Sequence, residues 1–87
     1  MAAVESTVSD TATVLSGLVD DAYYTAQNVS PNTDIYHISS AATPTGAGFR
    51  SRPHESFWFR KEAGVSIWLW CETGKAGRII YDEVPQQ

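Results

Sequence analysis

The stretch 65–72, Val-Ser-Ile-Trp-Leu-Trp-Cys-Glu, constrains this chain more than any other. Strand side chains alternate between two faces with a period of two. Val65, Ile67, Leu69 and Cys71 therefore share one face, and Ser66, Trp68, Trp70 and Glu72 the other. Both faces are largely apolar. A strand of that kind belongs inside a sheet covered on both sides, by a second sheet, a loop or another subunit.

Other segments carry the same period. Residues 55–61 set Phe57 and Phe59 against Ser56, Trp58 and Arg60, and Glu62, Ala63 and Gly64 then turn the chain. Residues 22–29, with Tyr23, Tyr24, Thr25 and Val29, read as a strand. The tight-turn residues Ser30, Pro31, Asn32 and Thr33 follow, and Ile35, Tyr36, His37 and Ile38 return as the second limb of an expected hairpin. After a glycine-bounded turn at 73–77, residues 78–84 form a last strand that Pro85 ends by removing a ladder donor. Residues 11–19 read as a weaker strand through Thr11, Thr13 and Val14; a short helix capped by Ser9 or Asp10 is the competing reading.

The expectation is all-β: a small antiparallel β-sandwich or barrel of six to seven strands in hairpin order, one domain over residues 11–87. Residues 1–10 are small and polar and read as a flexible N-terminal arm. Residues 39–53, rich in Ala, Thr, Gly and Pro, read as a long loop. Loops beyond about 12 residues in compact domains are usually functional or mobile, so this one is expected to be a contact surface.

With 87 residues the chain suffices for one domain with a thin core, burying roughly 60–65% of the surface an unfolded chain exposes. Part of its stability is expected from self-association or docking. Only 18% of residues are charged, the net charge is −4, and six Lys or Arg are scattered, which argues against nucleic acid as a partner. Cys71 stands alone, so no internal disulfide forms, and no cluster offers the ligands of a structural metal. No cofactor is expected. No apolar run reaches the ~18–20 residues of a membrane span, and residues 1–10 lack the pattern of a signal peptide. The chain is expected to be made and kept in the cytosol, or to leave it without a signal peptide.

Little in the sequence suggests catalysis. His37 and His54 are the only imidazoles, and neither stands beside a recognisable nucleophile; His37 reads as a packing or surface residue and His54 as the third residue of a turn Arg52-Pro53-His54-Glu55. The adjacent acids Asp20–Asp21 and Asp82–Glu83 point apart rather than forming a hydrolytic pair. Asp82 and Glu83 read as charges guarding an outer strand. Cys71 reads as an inert buried thiol, and the sequon at Asn28 is discounted. Trp58, Trp68 and Trp70 can serve as core, as a subunit or partner interface, or as a platform for sugars; Trp68 and Trp70 share a face. Together with Phe49 and Arg50 they form the candidate interface or ligand platform, with Asn32, Asp34 or Glu72 as polar partners for a sugar.

Four blocks carry a resemblance: Tyr24 to Asn28, Asp34 to Ile38, Arg52 to Phe57, and Ile67 to Trp70. Their order resembles small virion proteins of tailed bacteriophages. There a strand ending in Gln-Asn and a "vYi" strand precede an Ala/Thr/Pro loop, a "Pro-Gly-Glu" turn, a "vWaw" strand and an acidic last strand. This chain has His54 where that pattern has Gly. The resemblance implies a non-enzymatic β-sandwich that decorates a capsid or belongs to a tail or fibre. Its implied partners are a major capsid or tail protein and itself, a trimer first among homo-oligomers, in a virion assembled in the host cytoplasm. A carbohydrate-binding module associated with a tail or fibre is the alternative.

Overall fold

The computed structural model describes residues 3–46 and 48–84. It contains eight strands: β1 (Val4–Val8), β2 (Thr13–Val14), β3 (Tyr23–Asn28), β4 (Ile35–Ser40), β5 (Phe49–Ser51), β6 (Ser56–Arg60), β7 (Ser66–Trp70) and β8 (Gly77–Glu83). They form two four-stranded antiparallel sheets, β1-β8-β3-β6 and β2-β7-β4-β5. The sheets pack face to face and do not close into a barrel. Apart from β4 and β5, which are neighbours in the second sheet, consecutive strands alternate between the sheets in a nested order, which is the topology of an eight-stranded jelly roll.

Five expectations are corrected. Residues 4–8, read as part of an arm, are the edge strand β1, paired with β8 from Val4↔Tyr81 to Val8↔Gly77. The hairpin expected between β3 and β4 does not form, because residues 30–33 carry the chain from one sheet to the other. Only β4 and β5 pair as consecutive strands, and β5 lies inside the segment read as a loop. Asp82 and Glu83 lie on β8, an inner strand flanked by β1 and β3, so they guard no edge. The weak strand at 11–19 shrinks to Thr13 and Val14, and no helix competes with it.

Alternation explains which residues meet in the middle. Tyr24, Ala26, Ile79, Tyr81 and Val8 from the first sheet face Ile35, Ile67 and Leu69 from the second. Leu15, Ala22 and Cys71 complete the buried set, with Leu18, Phe57 and Phe59 packed on its margin. Tyr24 stacks on Phe59 at 5.4 Å between ring centroids, and its hydroxyl accepts the Val19 N–H at 2.8 Å.

The crossing from β3 to β4 is organised by Asn28, which has no exposed surface. Its amide donates to the carbonyls of Thr33 (2.7 Å) and Ser51 (2.9 Å), and its side-chain oxygen accepts the Ser30 N–H at 2.9 Å. That last bond is an Asx turn, which bends the chain out of its sheet. Ser30 then accepts the Arg78 N–H through its hydroxyl at 2.8 Å, tying the arch to β8. With both amide atoms engaged and buried, Asn28 offers no glycosylation site in the folded chain, in line with the discounted sequon.

Candidate functional site

Three surfaces present the residues singled out in the sequence, and they do not coincide. On the second sheet, the outward positions opposite the core are Val14, Trp68, Trp70, Tyr36, Ile38 and Arg50. Trp68 pairs across to Val14 on one side and Ile38 on the other, and Trp70 pairs to Tyr36. Both indoles are half-buried and run over the sheet. Trp68 Nε1 donates to the Ser40 carbonyl at 3.2 Å, and Trp70 stacks on Tyr36 with ring centroids 6.1 Å apart and planes 15° from parallel. A Cβ on Gly48 would come within 2.7 Å of the Trp70 ring, so the absent side chain at Gly48 gives the indole its room. The result is a flat aromatic and aliphatic face.

The charges of this face gather at one end. Arg50 lies 3.6 Å from Asp34, and the Tyr36 hydroxyl donates to Glu72 at 3.1 Å, a contact that raises the Tyr36 pKa above its ordinary value. Asn32, Thr33, Asp34, Glu72 and Lys75 line a small polar hollow there, so the polar partners expected for a sugar sit together, beyond the Trp pair rather than on it.

The second surface is the seam where the edge strands β5 and β6 leave the sandwich open. A groove of ≈390 Å³ runs there among His37, Phe49, Trp58, Phe59, Arg60 and Glu62. Phe49 and Trp58 form its rims and are 71% and 70% exposed, the two most exposed large apolar side chains among the described residues. Beneath the groove, His37 bridges the sheets by stacking on Phe57 at 3.8 Å and 5°. Burial pushes the His37 pKa down, which keeps the ring neutral and suits packing rather than proton transfer.

Trp58 also belongs to the third surface, the outer face of the first sheet, and is separated from Trp68 and Trp70 by the whole thickness of the sandwich. Its row runs Trp58, Thr25, Asp82 across β6, β3 and β8, and the next row runs Ser56, Gln27, Ile80. Tyr23, 44% exposed, stands beside Trp58 with ring centroids 6.0 Å apart. The sequence did not mark Tyr23 and Tyr36 as neighbours of the Trp residues, nor show that His37 packs across the seam on Phe57. Alternation announces the parity of a residue but not the sheet it joins.

Reactive groups do not assemble. Cys71 is buried, and loss of solvent raises its thiol pKa. His54 lies in an exposed turn. Among the described residues no three His, Cys, Asp or Glu side chains group as metal ligands. Asp20 and Asp21 are spent on exposed ion pairs with Lys61 (2.7 Å) and Arg60 (2.8 Å) at the end of β6. Compared with known protein families, curated proteins and solved structures, the chain matches none.

Proposed function

We propose that this chain is a non-enzymatic structural subunit of a virion, a decoration or auxiliary protein that binds a capsid surface and its own copies. The observation that carries the reading is the outer face of the second sheet. Val14, Ile38, Trp68, Trp70 and Tyr36 form a flat apolar layer on a sandwich that is already covered on its inner side. Aromatic residues flanked by polar ones are what interface cores are made of, and flat faces of this type are usually occupied. The strand order supports the same reading by analogy of fold, since jelly rolls recur in viral capsid proteins, although folds host many functions. A thin core that gains from association agrees with it.

The experiment is the solution mass by sedimentation equilibrium, for the native chain and for Trp68→Lys. A closed oligomer, a trimer first among them, that dissociates in the variant is the expected outcome. A native chain that stays monomeric at high micromolar concentration and does not co-sediment with tailed-phage capsids overturns the proposal.

A further inference from the structure

The outer face of the first sheet combines three features that no packing role uses. Trp58 stands 70% exposed on an edge strand with Tyr23 beside it, their planes inclined by 42°. Next to them, a shallow hollow of ≈210 Å³ is lined by Thr25, Gln27, Ser56, Ile80 and Asp82. Asp82 is part of its lining, and its Oδ1 has no hydrogen-bond partner among the described residues. Polar atoms left without a partner are rare in folded proteins and destabilising.

We propose that this face is a carbohydrate-binding site, with Trp58 stacking on the apolar face of a sugar ring and Asp82, Thr25 and Gln27 bonding its hydroxyls. The row Trp58, Thr25, Asp82 crosses three strands, about 10 Å at the spacing of neighbouring strands. A short oligosaccharide spans that distance, one ring on the indole and the next over the hollow. Gln27 Nε2 is engaged with the His54 carbonyl at 3.0 Å, which fixes the amide and leaves its oxygen as an acceptor.

The chemistry selects against the other classes. A phosphate backbone would meet the Asp82 carboxylate with no cation in the hollow to offset it. A bound metal ion needs more ligands than one carboxylate, and none gather here among the described residues. A neutral ligand whose hydroxyls donate and accept around an apolar ring fits an aromatic platform beside an unpartnered acceptor. The site does not rest on the docking reading, because the two faces lie on opposite sides of the sandwich and one can be occupied while the other is free.

The test is a tryptophan-fluorescence titration of the full chain with cellohexaose, maltohexaose and N-acetylchitohexaose. The expected result is saturable quenching by at least one of them, abolished in Trp58→Ala, weakened about tenfold in Asp82→Asn, equivalent to ~1.4 kcal/mol, and unchanged in Trp68→Ala. Unaltered thermal midpoints of the Trp58 and Asp82 variants certify that the losses are local. No saturable response to any of the three probes, or equal affinity in Trp58→Ala, overturns the assignment. Neither outcome moves the solution mass, so failure here and failure of the docking proposal are distinguishable.

Discussion

At the scale of single residues, four turns of the chain share one geometry. In each, the N–H of the fourth residue bonds back to the first carbonyl: Ala22 to Val19, Glu55 to Arg52, Val65 to Glu62 and Lys75 to Glu72. The third residue has a left-handed φ of 67° at Asp21, 70° at His54, 77° at Gly64 and 80° at Gly74. That angle at the third position is the mark of a type II turn and favours glycine. His54 is the costly occupant, exposed and committed only through its backbone, whose N–H donates to the Asn28 carbonyl at 2.7 Å. A non-glycine residue there costs about 1–2 kcal/mol, and glycine gives back roughly 0.4–1 kcal/mol through the entropy of the unfolded chain. His54→Gly is therefore expected to stabilise the fold by about 0.5–1 kcal/mol, read as a higher urea midpoint at unchanged slope. A lower midpoint would mean that the imidazole makes a contact worth more than the strain. The turn itself was legible in Pro53, which presets the second position.

Elements were legible as far as local pattern reaches. The period of two in β3, β4, β6, β7 and β8 fixes each strand and its inward set, since Ile67 with Leu69 and Tyr24 with Ala26 are buried as alternation requires. Partners were not legible. Residues 30–33 have the composition of a tight turn, but such composition says only that the chain bends, not which sheet it rejoins. The decision rests with buried Asn28 and with the fit of Ser30 against Gly77. A Cβ on Gly77 would collide with the Ser30 hydroxyl, which holds the Arg78 N–H, and would press on Cys71 Sγ at 3.4 Å. Gly77→Ala is thus expected to cost about 1–3 kcal/mol as an overpacked contact. In a Ser30→Ala background the same change is expected to cost less, because the colliding atom is gone. Chemical denaturation of the four members of that cycle measures the coupling. Strict additivity would show that the arch and β8 do not share this contact.

For the whole molecule, the N-terminal segment decides how function can be probed at all. Small polar residues at 1–10 carry little local signal, and their partner β8 lies at the far end of the sequence, so the pairing of β1 with β8 left no trace in composition or period. Yet Val8 is buried in the core, the Ser9 carbonyl accepts the Cys71 N–H at 2.8 Å, and Asp10 accepts the Gly74 N–H at 2.9 Å. Deleting residues 1–10 removes one buried Val, worth roughly 1.5–3 kcal/mol, and bares the β8 ladder as a new edge. The expected outcome is a loss of at least about 3 kcal/mol in stability, with concentration-dependent aggregation seen by light scattering. An arm would give neither, and an unchanged melting midpoint would return the segment to that status. Association must therefore be tested by point substitutions on the faces. In a deletion variant, a change of mass would report a broken sheet and an exposed edge, whereas Trp68→Lys and Trp58→Ala alter one face each and leave every strand pair in place.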